Sequence, residues 1–354
     1  PVIAAFGGVV APALIFTAIN HGSAAASGWG IPTATDIAFA VGILSILGDR
    51  VPVSLKVFLT ALAIADDLIA ILVVALFYGG TINFGLLSIA FVLIALVLLM
   101  NKLGEKRGWF YLVPAIAIWS LFYYAGIHST MSGVVMAFLV PMTPRFNEAY
   151  FHRKRLQYIR RLNEYNGIAS TSSEFPNGPQ RHCLRRLSAI SRDSIGMSYR
   201  LEHALGPWVN FLIMPIFALA NAGVEIPDVS YFNVFQFDQV LGSVSMGIFL
   251  GLVLGKPLGI SLASFIAVKL HVGEMPAKSS WPMLIAVACL GGIGFTMSIF
   301  VDTLSFGDQT PEVMARLRDM GKVAVLMGSL CAGILGSVLI NIIHGIESRK
   351  AVKA

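Results

Sequence analysis

Residues Val57–Tyr78 read VFLTALAIADDLIAILVVALFY. The run is long enough to cross a bilayer as a helix, which takes roughly 20 apolar residues, yet Asp66 and Asp67 stand side by side at its centre. Ionisable groups at that depth are costly and rare, and by default they mark a path for ions or protons. Neighbours on a helix project about 100° apart. The two carboxylates therefore cannot share a face, and each must have its own surroundings.

Apolar stretches of the same kind recur on both sides, near 2–19, 31–47, 84–100, 108–122, 127–142, 207–223, 241–266, 282–304 and 323–343. With 57–78 they make about ten membrane spans. Composition agrees: 56% of the 354 residues are hydrophobic and 12% charged, against roughly 25% charged in a soluble domain. Soluble, disordered and fibrous classes are excluded, leaving an all-α polytopic membrane protein. Cys183, Cys289 and Cys331 lack disulfide or zinc spacing. The chain opens on Pro1 inside an apolar run, which reads as a fragment without its N-terminal segment.

Basic residues set the expected orientation. Alternating the spans from a cytoplasmic start places 21 of the 25 Lys and Arg residues inside and three (Arg316, Arg318 and Lys322) outside, with Lys256 within a span. That asymmetry predicts a cytoplasmic tail at 346–354. Transmembrane helices are expected over 1–143 and 200–345, separated by a basic cytoplasmic loop at 144–199. The loop contains Arg153-Lys154-Arg155, Arg160-Arg161, Arg185-Arg186 and a Ser-rich tract at Ser170–Ser173; counted to Arg200, its balance is +7, above the chain's +6. The charge thus gives no reason to expect nucleic acid, and a loop resting on anionic membrane lipid is the simplest role.

Two spans are interrupted. Pro32 removes a donor in Ile31-Pro32-Thr33-Ala34-Thr35-Asp36, where hydroxyls can satisfy freed carbonyls. Gly291, Gly292 and Gly294 break a second span, in Gly291-Gly292-Ile293-Gly294-Phe295-Thr296. Spans 2–19, 31–47 and 57–78 run plain, broken, carboxylate-bearing. Spans 241–266, 282–304 and 323–343 run lysine-bearing, broken, plain. Two such units, about 1–78 and 241–345, enter the membrane from opposite sides in the charge-derived topology, the arrangement of many secondary transporters. Where broken helices cross, Asp36 can offset half-helix N-termini and Lys256 the C-termini. Carboxylates suit Na+ or Li+ as hard cations and bind H+ equally well, so competition for one group would itself yield exchange.

At these residues the chain resembles the NhaA family of Na+/H+ antiporters. The likeness rests on Gly30–Ala40 (GIPTATDIAFA), Ala61–Leu68 (ALAIADDL), Gly255–Ser261 (GKPLGIS), Gly292–Phe300 (GIGFTMSIF) and Asn221-Ala222-Gly223-Val224. It covers nearly everything except about 144–198, where the family's connection is shorter. The resemblance implies a twelve-span fold whose first two spans are missing here. It also implies electrogenic, pH-regulated exchange of Na+ or Li+ for H+ at a bacterial inner membrane, serving sodium and pH homeostasis. It assigns ion and proton binding to Asp66 and Asp67, the second aspartate taking Na+, with Asp36 and Thr35 at the crossing and Lys256 compensating charge. Arg200, Glu202 and His203 match a cytoplasmic cluster linked to pH response, and His128 matches a histidine near the outer surface. Expected partners are Na+, Li+, H+, lipid and a second copy of the chain; no enzyme activity and no cofactor are implied. Gly206 stands where some members carry His, and Asp302 lies outside the family pattern.

Other classes fit less well. A membrane aspartyl protease would need a Gly-x-Gly-Asp motif, which is absent, and a channel would need no inverted units with buried protonatable groups. A related transporter of another cation, or of a Na+-coupled solute, is the alternative.

Overall fold

A computed structural model describes residues 1–353 except 80–81, 106, 145–147, 169–175, 222, 224–233, 235–241, 278 and 308. In chain order the helices are α1 (Val2–Ile19), a 3-10 helix (Ala24–Thr33), α2 (Ile37–Leu47), α3 (Val53–Phe77), α4 (Phe84–Lys102), α5 (Trp109–Tyr124) and α6 (Thr130–Leu139). There follow α7 (Glu148–Ile168), α8 (Gly178–Asp193), α9 (Met197–Trp208), α10 (Met214–Asn221), α11 (Val244–Leu250) and α12 (Lys256–Lys269). The series ends with α13 (Trp281–Leu290), α14 (Phe295–Leu304) and α15 (Pro311–Lys353).

Among the described residues, six helices are long and apolar enough to cross a membrane, and two bent pairs raise the number to as many as eight. The first pair, Ala24–Thr33 with Ile37–Arg50, bends by 42°, and the second, α13 with α14, by 50°. Two shorter apolar helices, α5 and α6, fill the remaining apolar stretches. The protein is an all-α membrane protein with two interrupted helices.

Two π turns have one local cause. Proline lacks an N–H, and its ring clashes with the carbonyl four residues earlier. Val209–Ile213 precedes Pro215 and Gly251–Gly255 precedes Pro257. The widened turn takes up that misfit without ending the span, so α9 runs on into α10 and α11 into α12.

The chain divides into two compact units. Unit 1 is Pro1–Gly79 with Ile213–Ala354, and unit 2 is Gly80–Leu212. Both expected three-span groups, about 1–78 and 241–345, fall in unit 1. Its core has two buried clusters, one around Leu44, Leu59, Leu62, Val287 and Leu290, the other around Phe16, Ile31, Ile248, Leu252 and Phe306. α1 and α12 pack through glycine. A methyl group at Gly7 or Gly259 would overlap the other residue's carbonyl oxygen, and one at Gly255 would crowd the Pro12 backbone. Such small residues let helix backbones approach where lipid supplies no hydrophobic drive.

In unit 2, α4, α5 and α6 pack around Ala90, Val97, Ile118, Phe122 and Met136. Asn101 donates to the Leu139 carbonyl at 2.9 Å, fixing the end of α6 against α4. Phe91, Val92, Leu112 and Ile116 remain exposed, as lipid-facing residues must.

Three boundaries differ from expectation. The first broken span begins at Ala24 rather than 31, because Ala24–Gly30, small residues apart from Trp29, has modest hydropathy although it coils into a 3-10 helix. Its break lies at Ala34–Asp36, just past Pro32, which the 3-10 helix contains. The basic segment holds two helices rather than only loop. α8 starts at a capping box in which Asn177 and Gln180 satisfy each other's backbone N–H. The Ser170–Ser173 tract lies outside the described residues. Finally, α15 starts at Pro311, well before 323, since proline suits a first helical turn.

Candidate ion-binding site

The two breaks touch. The Asp36 N–H donates to the Ile293 carbonyl at 2.6 Å, and the Thr35 hydroxyl donates to the Gly291 carbonyl at 2.8 Å. Residues 34–36 of one interrupted helix thus bind residues 291–293 of the other, 256 positions away in the case of Thr35. Each break frees backbone groups that membrane burial would leave unsatisfied, and each break satisfies the other's.

Asp36 serves both half-helices that begin here. Its carboxylate caps α2 by accepting from the Phe39 N–H at 3.2 Å, and it accepts from the N–H of Thr296 at 3.1 Å and from the Thr296 hydroxyl, at the start of α14. One buried negative group therefore faces two partial positive ends. Ser329 on α15 completes the start of α14, its hydroxyl accepting from Gly294 N–H at 3.2 Å and Phe295 N–H at 3.1 Å.

Lys256 does the converse. It is the first residue of α12, just past a π turn, and its side chain is fully buried. The ammonium donates to the Thr33 carbonyl at the end of the 3-10 helix at 2.5 Å, to the Thr35 hydroxyl at 3.0 Å and to Asp66 Oδ2 at 2.5 Å. All three ammonium protons are engaged. Thr35 links the two systems, accepting from Lys256 while donating to Gly291. Pro32 and the glycines act through shape: a methyl group at Gly292 would overlap the Leu252 carbonyl, and one at Gly251 would crowd Pro32.

The adjacent carboxylates have different surroundings. Asp66 is wholly buried against Lys256, whereas Asp67 is half-buried. In each, Oδ1 is buried with no hydrogen-bond partner among the described residues. A buried acceptor without a donor is costly, and two of them on neighbouring residues leave coordination capacity for a cation or proton.

The structure thus brings Asp36, Thr35, Asp66, Lys256, Gly291 and Pro32 together in unit 1, with Asp67 next to them on α3. Arg200, Glu202, His203 and His128 belong to unit 2. Arg200 and His203 line one cavity with Arg107, Arg192 and Asp193. Arg200 lies 4.0 Å from Asp193, and the His203 ring lies 4.0 Å from that of Tyr199. Glu202 is exposed on α9 and does not line that cavity. His128 Nδ1 is 2.9 Å from the Thr130 hydroxyl. Thr296 and Ser329 join the site without a sequence signal of their own: Thr296 follows the glycine break, and Ser329 stands in no local pattern.

Likeness to known proteins extends over the chain. The family described as Na+/H+ antiporter 1 matches residues 1–340. A protein named Na(+)/H(+) antiporter NhaA from Syntrophobacter fumaroxidans is 40% identical over 95% of this chain and 69% of its own length. Proteins of the same name from Oleidesulfovibrio alaskensis and Acidithiobacillus ferrooxidans are 40% and 42% identical, over 99% and 95% of this chain and 75% and 74% of theirs.

Proposed function

Since the chain belongs to the Na+/H+ antiporter 1 family, we propose that it is an electrogenic antiporter which expels Na+ or Li+ and admits a larger number of H+ per cycle. The single observation that carries this reading is the pair of buried oxygens on Asp66 and Asp67, beside Lys256, that have no hydrogen-bond partner among the described residues. Asp67, less enclosed, is the principal Na+ ligand. Asp66 exchanges between pairing with Lys256 and binding a proton. Because Na+ and H+ draw on the same carboxylates, loading one ion displaces the other, and two carboxylates per Na+ account for the net charge moved.

Asp36 and Lys256 hold the crossing electrically neutral while the half-helices shift, and Thr35 keeps the two breaks in register. The basic segment 144–199 and the C-terminal tail face the cytoplasm of a bacterial cell. Arg200, Glu202, His203 and His128 set the pH response, and the protein works as a lipid-embedded homodimer. Everted vesicles with an acid interior test the proposal. Adding Na+ or Li+ should collapse the pH gradient through the full-length protein. No response to saturating Na+ at neutral or alkaline pH would overturn it.

A further inference from the structure

Two ionisable side chains, Asp302 and Arg318, lie near the other end of α14, away from the crossing. Asp302 is fully buried, and neither carboxylate oxygen has a hydrogen-bond partner among the described residues. It rests on the backbone of α15 at Gly321, where a methyl group would overlap the carboxylate. Arg318, nearly one turn before Gly321, donates through Nη2 to the Ser305 carbonyl at 3.3 Å, while its Nε is buried without a partner among the described residues. Lys322, on the next turn, is occupied by the Gly223 carbonyl at 2.8 Å and by Asp319 at 3.9 Å.

Among the described residues, a carboxylate and a guanidinium nitrogen on packed helices are thus each left unsatisfied. Buried polar atoms without hydrogen-bond partners are costly, and a second arrangement that joins the two would recover the cost. Such an arrangement is close at hand. Asp302 lies in the last turn of α14 and Ser305 caps its end, so the carbonyl that Arg318 holds and the carboxylate that it does not are about one helical turn apart in sequence. The same helix binds Asp36 through Thr296 at its other end. A change of register here would therefore reach the crossing.

We infer that Asp302 and Arg318 form a conformational latch, in which Arg318 holds the Ser305 carbonyl in the state described here and the Asp302 carboxylate in the opposite transport state. The exchange shifts α14 against the Arg318 guanidinium by about one turn, a step of the kind packed helices make between discrete states. The latch rests on the antiport reading, because it needs two transport states.

The test uses the full-length protein in proteoliposomes. Asp302→Asn keeps the shape and removes the charge. Exchange should fall about tenfold, within the usual range of pairwise coupling, with Na+ affinity by calorimetry unchanged. The reversed pair, Asp302→Arg with Arg318→Asp, should exchange faster than either of its single variants. Wild-type exchange in Asp302→Asn overturns the latch, as does a folded reversed pair no faster than its singles. Should the reversed pair fail to insert, Asp302→Cys with Arg318→Cys, in a chain with Cys183, Cys289 and Cys331 replaced by Ala, gives the second reading. Its yield with a short bifunctional crosslinker should change on adding Na+, and a yield indifferent to Na+ overturns the latch. Absence of exchange in the wild type identifies the antiport reading as the failure, and the crosslinking then judges the latch alone.

Discussion

Lys256 Nζ and Asp66 Oδ2 lie 2.5 Å apart, both side chains wholly shielded, with the remaining ammonium protons bound to Thr33 and Thr35. The lysine is thus satisfied on every side, while Asp66 keeps one oxygen without a partner among the described residues. The ion pair anchors one partner and leaves the other available.

Removing the anchor should be costly. Lys256→Ala strands a buried carboxylate, and breaking such a pair costs about 3–5 kcal/mol. Thermal unfolding in detergent should show a large loss for Lys256→Ala and a smaller one for Lys256→Arg. The double variant Lys256→Met with Asp66→Asn should regain most of the stability, since neither charge remains. Equal stability of Lys256→Ala and wild type would contradict the role.

The neighbouring carboxylates should separate by function. Asp67→Asn retains size and one carbonyl oxygen but should lose Na+ binding by calorimetry. Asp66→Asn should bind Na+ weakly and change the number of protons exchanged. The opposite pattern would reverse the two roles, and normal binding in both variants would place the ion elsewhere.

Thr296 should matter more than its size suggests. Thr296→Val keeps the shape and deletes the hydroxyl donor to the buried Asp36 carboxylate; hydrogen bonds to charged groups are worth about 1.5–3 kcal/mol. Thr296→Ser should behave like wild type. A thermal midpoint for Thr296→Val equal to that of Thr296→Ser would show that the hydroxyl contributes nothing.

The basic segment should be dispensable for exchange. Replacing 146–192 by a short linker spares Arg200, Glu202 and His203 and should preserve Na+-driven collapse of the pH gradient. Its side can be read from Arg185→Cys, an exposed position, since Cys183 is itself buried. Labelling of the introduced thiol by an impermeant reagent from outside intact cells would contradict the cytoplasmic placement.

Much of this architecture was legible because membranes make sequence patterns severe. Asp36, Asp66, Asp67 and Lys256 stood out as charges in apolar runs, and Gly291–Gly294 as a break in one. What stayed hidden has physical causes. Ala24–Gly30 carries little hydropathy because all but Trp29 are small, so no apolar run marks the first half of the first broken helix. The polar helices α7 and α8 lack an apolar face long enough to span, although the Asn177 and Gln180 cap was there to read. The Asp36 to Thr296 contact joins residues 260 apart, and no local pattern encodes it. Ser329 is one serine among many until Gly294 and Phe295 are seen to donate to it.

The interlocked glycines of α1 and α12 have a genetic consequence. With Gly7 and Gly259 pressed backbone to backbone, the first helix behaves as a splint on the segment that presents Lys256. Substitutions at Gly7, Gly8 or Ala11 should then mimic damage at the lysine although none of the three carries any charge. Second-site suppressors of a weakened Lys256 variant should likewise gather along this seam.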